Sequence, residues 1–313
     1  MDGVLLVDKP AGITSAGVVR ALKRRVGKYK IGHLGTLDPF ATGLLPVCIG
    51  EATKVAQFLS AEDKAYTGCI RLGIETDSLD CTGRVVARAP TPPLDQRVLE
   101  SICARFAGEC WQTPPMFSAV KRSGVPLYRL ARRGIEVERA PRRIEVHRLT
   151  LKAIAPAELE FGVECSKGTY VRVLAASIGR ELGCGGHLGV LRRTRFGGFD
   201  IRDAYPLAQL EEWPQPSLPV VPIRAALARL RELLVPPQIA TLLRRGQQGV
   251  LACLPMPDAS GETAKVVTTA GDVVAIVEVD VRRGRWRLVR TLSVSARAEG
   301  SAPAKLYKPQ TAC

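Results

Sequence analysis

Residues 31–54 read IGHLGTLDPFATGLLPVCIGEATK. Glycines at 32, 35, 43 and 50 allow tight backbone paths or the close approach of a ligand. Asp38 stands directly before Pro39, which biases it away from the helical region toward an extended or turn conformation. A carboxylate held on such a loop can be aimed at a substrate, although Asp-Pro is also a common way to start a turn. Neither this stretch nor the rest of the chain carries a P-loop, a G-x-G-x-x-G fingerprint or a metal-ligand cluster, so no cofactor and no metal are expected.

Toward the N-terminus, Val4, Leu5, Leu6 and Val7 read as a short strand closed by Lys9-Pro10. Ser15 is placed to cap a helix carrying Val18, Val19, Leu22 and Val26 on one face. Toward the C-terminus, Val55, Phe58 and Leu59 suit a short helix. A strand is expected from Tyr66 to Ile74, with Arg84–Ala89 as its partner across the polar, turn-rich segment Glu75–Gly83. Leu94 to Ala107 is helical in pattern, with Val98, Leu99, Ile102 and Phe106 on one side and Gly108 as its stop. Leu159, Phe161, Val163 and Cys165 alternate as a half-buried strand should. The period then changes, and Val171, Leu174, Ala175, Ile178 and Leu182 form an amphipathic helix whose first turn holds Tyr170 and Arg172. Strands and helices mix without regular βαβ alternation. The expected class is therefore α+β, a mixed, largely antiparallel sheet with flanking helices.

Composition shifts near Glu212, where WPQPSLPVVP places four prolines in ten residues and suits an extended connector. Residues 222–234 follow as one more helix, and Thr263–Ala270, Asp272–Val281 and Arg285–Val294 as three strands. The domain map is a large domain over 1–211, a connector and helix over 212–234, a small β-rich module over 235–294, and a disordered tail over 295–313. Forty-five Lys and Arg against 30 Asp and Glu give +15, an excess that favours capture of polyanions such as nucleic acid or an anionic membrane. The charge is concentrated in residues 114–143, which hold eight Lys or Arg against two Glu. Nine cysteines form no C-x-x-C pair, and Cys184 and His187 lack a second pair to complete four zinc ligands. An early Asp8-Lys9-Pro10, with no apolar run near the ~18 residues of a membrane span, points to a cytosolic protein.

The 31–54 stretch resembles the pattern G-H-x-G-x-L-D-P-x-A-x-G-x-L of the TruB family of tRNA pseudouridine synthases. Gly32, His33, Gly35, Leu37, Asp38, Pro39, Ala41, Gly43 and Leu45 all fall in place. The family's K-x-Y is matched by Lys64 and Tyr66, and its P-P-x-x-S-A-x-K by Pro114, Pro115, Ser118, Ala119 and Lys121. The resemblance covers about residues 3–200. It implies a pseudouridine synthase fold and isomerisation of uridine 55 in the T-loop of tRNA. Asp38, Tyr66 and Arg172 would be the catalytic residues, with Tyr66 stacked on the target base and Arg172 holding Asp38 as an anion. His33, Gly35, Lys64, Tyr170 and Leu191 would line the substrate site, Leu191 by packing. Lys121, Arg132 and Arg133 would grip RNA from the basic insert, and Arg192, Arg193 and Arg195 would face it. His33 also reads as a hydrogen-bonded loop histidine. The C-terminal module resembles a PUA-type RNA-binding domain on the weaker signal of Leu243, Gly246 and Gln247. The implied partner is the T-arm of tRNA, bound by a monomer that needs no protein partner.

Two other readings stand beside this one: a guide-RNA-dependent catalytic subunit, and a non-catalytic RNA-binding protein or tRNA folding chaperone. The basic insert argues against the first, because it lets the chain hold tRNA unaided. An anionic membrane is disfavoured, since no basic amphipathic helix with aromatic anchors is present. If 114–143 grips phosphates, neutralising Arg132 and Arg133 together should weaken tRNA binding and flatten its salt dependence by roughly one unit of slope per lost contact. An unchanged slope in a binding titration against salt would rule that assignment out.

Overall fold

The structure, a computed structural model, describes residues 1–118, 120–122, 124–131, 133–214 and 218–293. Ala119, Arg132, the side chain of Lys121 and the tail after residue 293 lie outside it.

The large sheet is built from β1 (Gly3–Lys9), β2 (Ile31–His33), β3 (Thr42–Ile49) and β4 (Lys64–Leu72), with further strands later in the chain. After a small ribbon of β5 (Ile74–Thr76) and β6 (Val85–Arg88) come β7 (Gly108–Gln112), β8 (Arg142–Ala155), β9 (Glu158–Cys165) and β10 (Gly186–Phe196). The order across the sheet is β1-β3-β10-β4-β9-β8-β7. Only the β3–β10 pairing in that run is parallel; the other neighbours are antiparallel. Three helices flank it: α1 (Ser15–Val26), α2 (Gln96–Phe106) and α3 (Val171–Glu181).

The unbroken apolar runs of β1 and β3 follow from burial on both faces. Leu5, Val7, Leu45, Val47 and Ile49 pack toward the helices with Val18, Leu22 and Leu174. Val4, Leu6, Leu44 and Cys48 pack the other way, against Val267, Val273, Ile276 and Leu292 of the C-terminal module. That module is a four-stranded sheet of β11 (Arg231–Val235), β12 (Thr263–Thr268), β13 (Val273–Asp280) and β14 (Arg285–Thr291), with α4 (Pro237–Arg244) against it. It therefore shares a core with the large domain instead of hanging from a linker.

Four expectations are corrected. Ser15 is not the cap of α1: Thr14 is, its hydroxyl accepting from Gly17 N at 2.9 Å. Arg84–Ala89 does not pair with β4, because Gly73 turns the chain at φ 77 and both edges of β4 are taken by β9 and β10. Val98 lies on the exposed side of α2, while Leu99 and Ile102 are buried. Residues 222–234 are helical only over Ile223–Ala226, and Arg231–Val235 instead pairs in parallel with β12. There, burial of Leu233 and Val235 in the sheet overrides the helical spacing of the local sequence.

Among the described residues no helix is long and apolar enough to cross a membrane. The C-x-x-H pair is used up locally: His187 Nδ1 lies 2.8 Å from Ile74 O, and Cys184 Sγ lies 3.3 Å from Gly185 O.

The parallel β3–β10 contact depends on Gly43. Its φ is +100, and a Cβ there would sit 2.3 Å from Arg193 O and 2.8 Å from Arg193 N. Gly43→Ala is expected to cost about 2–3 kcal/mol of stability, read as a lower urea midpoint at constant slope. A wild-type midpoint would mean that the two strands do not meet this closely.

Candidate active site

Asp38 projects from the loop between β2 and β3, and three buried polar side chains and one backbone amide hold that loop. The Ser15 hydroxyl donates to Leu37 O at 3.0 Å and accepts from Leu37 N at 2.9 Å. Lys9, fully buried, donates to Pro10 O and Ile13 O at 2.8 Å each and to Pro39 O at 3.3 Å. Arg193, also buried, donates from Nη2 to Gly35 O at 3.0 Å and from Nε to Leu44 O at 2.7 Å. Gly12 N closes the base of the loop on Pro39 O at 2.8 Å. Gly35 is required for its shape: φ is +64, and a Cβ would stand 2.8 Å from the Phe196 ring. Leu37 and Ala41 bury their side chains in the core, while the Asp38 carboxylate between them stays 32% exposed.

Arg172, in the first turn of α3, is buried and spends its guanidinium on four acceptors. Nε meets Asp38 Oδ2 at 3.0 Å. Nη1 meets Asp80 Oδ2 at 3.1 Å and Ser78 O at 3.2 Å. Nη2 donates to Phe117 O at 2.7 Å, at the root of the basic insert. Asp80 is itself locked, its Oδ1 accepting from Ser78 Oγ at 2.7 Å, Thr82 N at 2.9 Å and Thr82 Oγ1 at 2.6 Å. The neighbouring Leu79 has φ 64, the one non-glycine positive φ among the described residues. A β-turn asparagine or glycine would sit there without strain, so the backbone is held against its preference where the site needs it. The helix start is fixed by Gln112, which donates to Tyr170 O at 3.1 Å and accepts from Tyr170 N at 2.7 Å.

Of the expected site residues, Asp38 and Arg172 are brought into direct contact. Tyr66 is buried on β4 opposite Arg193. Burial pushes its phenol up, Arg193 pulls it back and Asp38 adds a smaller push upward, so Tyr66 is a neutral phenol near the carboxylate. Leu191 is buried beside Gly68 on the adjacent strand. His33 ends β2, its Nδ1 buried without a hydrogen-bond partner. Lys64 is turned inward: its ammonium donates to Ser60 O at 3.3 Å and to Glu62 O, and lies 4.4 Å from the Phe196 ring centroid. Burial draws it down to about 8, and its place is structural instead of exposed to a ligand. Arg133 is exposed on the insert. The expectation that Arg192, Arg193 and Arg195 face outward fails for Arg193, which is 1% exposed; Arg192 and Arg195 keep side chains 40% and 36% exposed, paired with Asp8 at 2.8 Å and Glu164 at 2.5 Å.

Lys9, Asp80 and Gln112 escape sequence reasoning as parts of the site, and Arg193 is singled out there for a different role. Asp80 and Arg172 stand 92 positions apart, and the polar segment around Asp80 carries no local sign of its partner. Lys9 beside Pro10 and Arg193 within β10 could have been suspected only from their lying inside otherwise apolar elements.

Arg172 acts on Asp38 in the expected direction but does not dominate. Burial pushes the Asp38 carboxyl above the ordinary carboxylate range, Arg172 and Lys9 pull it back, and Asp80 pushes it up. With the folded value raised, ionised Asp38 costs stability at neutral pH, and that cost disappears as pH falls below the unfolded carboxylate range. Asp38→Asn should therefore raise the melting temperature by a few degrees at pH 7, with the gain shrinking toward pH 4. Asp80→Asn should lower the Asp38 titration midpoint seen by carboxyl ¹³C NMR. A midpoint that rises, or an Asp38→Asn protein that melts earlier at pH 7, would contradict this balance.

A half-exposed carboxylate on a rigid loop, beside a buried arginine and a neutral tyrosine, suits nucleophilic or base chemistry on a bound substrate. Residues 23–171 match the TruB family pseudouridylate synthase N-terminal domain, and residues 172–238 the tRNA pseudouridylate synthase B C-terminal domain. The join falls at α3, yet α3 packs on the large sheet, β10 pairs within it, and both complete the Asp38 site. The tRNA pseudouridine synthase B of Aromatoleum aromaticum is 47% identical over 255 residues, covering 81% of this chain and 82% of that protein. That of Geotalea uraniireducens is 50% identical over 213 residues, 68% of each. Among solved structures, a chain of the crystal structure of a Cbf5-Nop10-Gar1 complex aligns with a TM-score of 0.70 at 25% identity, covering 94% of this chain and 84% of that one. Identity near one half over most of the length of these relatives places the chain in the TruB family of pseudouridylate synthases.

Proposed function

We propose that this chain isomerises uridine 55 in the T-loop of tRNA to pseudouridine, with Asp38 essential and no protein partner required. The observation that carries the reading is the 3.0 Å contact of Arg172 with Asp38, on a loop whose sequence matches the family's throughout. An enzyme that acts on a base must first take it from the stack, at a cost of a few kcal/mol that is smallest in a loop. His33, at the head of the Asp38 loop, would fill or flank the place the uridine leaves. Tyr66 would stack on the base.

Asp38 then serves cleavage of the N1–C1′ bond; the uracil turns and re-forms its link through C5, and the C5 proton departs. Attack at C1′, attack at C6 and removal of the 2′ proton are all open to a carboxylate so placed. Tyr66, neutral because buried, is near enough to assist the proton's loss. Lys121, Arg132 and Arg133 would hold the T-arm from the insert, and the module around Leu243, Gly246 and Gln247 would add a PUA-like RNA contact.

Stand-alone action is supported by the relatives themselves: proteins named tRNA pseudouridine synthase B are about twice as similar in sequence as the Cbf5-containing complex. Tritium release from [5-³H]uridine-labelled tRNA transcript is expected from the chain alone and not from Asp38→Asn. Arg172→Ala should lose turnover, by roughly 100-fold or more, far beyond its loss of tRNA binding. No release by the unaltered chain would favour a guided subunit or a chaperone, and equal losses in Arg172→Ala would make that residue an RNA ligand.

A further inference from the structure

A cavity of ≈ 390 Å³ opens beside His33, lined in part by Lys23, Lys30, Gly32, His33 and Thr53. Three elements wall it: the last turn of α1 brings Lys23, β2 forms the floor, and the turn Gly50–Lys54 brings Thr53. The mechanism above uses none of it except the His33 ring.

Four observations bear on what it holds. Its lining includes two lysines and no carboxylate, so its field favours an anion. Lys23 is already steered, its ammonium donating to Tyr29 O at 2.7 Å, which leaves two N–H groups for a ligand. His33 Nδ1 is buried and unpartnered. Burial, and then Arg193, hold that ring below its ordinary value and so neutral at pH 7, able to offer one N–H. Finally, Gly32 has no conformational need to be glycine: its φ is not positive, and a Cβ there would meet nothing within 4 Å. A glycine weakens a strand, and where the fold does not demand it, close approach of a ligand is the remaining reason.

We infer that this cavity is a subsite for an RNA phosphodiester, taking the backbone of a nucleotide next to the target uridine. The inference rests on the reading that tRNA is the substrate. The lysines neutralise the phosphate, the imidazole reaches a phosphate or ribose oxygen, and the bare floor at Gly32 lets the backbone lie against β2. His33 ties this subsite to the Asp38 loop, since its ring lines the cavity while its backbone leads into the loop.

The test measures binding of the full-length protein to an unmodified tRNA transcript across a KCl series, with melting curves to check folding. Lys23→Ala/Lys30→Ala should weaken binding about tenfold or more at fixed salt and reduce the slope of log K against log [KCl] by about 1. Gly32→Ala, which changes no charge, should weaken binding severalfold with its slope kept. Arg88→Ala/Arg97→Ala removes the same charge from exposed positions elsewhere and should do neither. A lysine pair no worse than that control, or a Gly32→Ala protein that binds like the parent, overturns the subsite. Uridine 5′-monophosphate is titrated in parallel by NMR; saturable binding tighter than that of tRNA and lost in the lysine variant would assign the cavity to a free nucleotide instead. Failure of the functional reading is separately visible, because the parent would then release no tritium from labelled tRNA whether or not it binds it.

Discussion

One guanidinium organises this protein. Arg172 joins the Asp38 loop, the Asp80 turn and the root of the basic insert to the start of α3, its own segment. A buried charge of this kind is tolerable only when its donors are satisfied, and here they reach two carboxylates and two carbonyls. Asp80, the more deeply buried carboxylate, anchors the arginine. Asp38, the more exposed, is left able to meet a substrate. Two carboxylates on one cation also leave the pair short of positive charge, and that shortage is part of what keeps the Asp38 carboxyl above its ordinary range.

The same logic recurs around the loop. Lys9, Lys64 and Arg193 are all buried, and each gives its donors to backbone carbonyls. Desolvation draws Lys9 and Lys64 down to about 8, so these cations are a cost to the fold. Lys9 and Arg193 give partners to carbonyls of the Asp38 loop and its ends, and Lys64 does the same for the turn at Ser60 and Glu62, an arrangement that apolar side chains could not supply. The loop is rigid because its backbone is satisfied from beneath, and a rigid loop holds a reactive carboxylate at a set distance from its arginine.

Much of this is legible in the sequence. The alternating β9 residues and the apolar face of α3 are local patterns, and the structure reproduces them because each period matches one face of its element. Asp38 could be singled out because its neighbours from Gly32 to Leu45 are contiguous in sequence. The misreadings have a common cause. Arg193 reads as a surface cation, residues 222–234 as a helix and Arg84–Ala89 as the partner of β4, and each is decided by a strand or side chain remote in sequence.

The sequence by itself determined the family, the α+β class, the loop that carries the carboxylate and the strong positive charge, because these are written in contiguous residues and in composition. Only the tertiary structure decided that Asp80 completes the ion pair, that Arg193 and Lys64 point inward, and that the C-terminal module shares a core with the catalytic sheet. Those outcomes depend on which groups are removed from water together, and burial is a property of the assembled chain that no local stretch encodes.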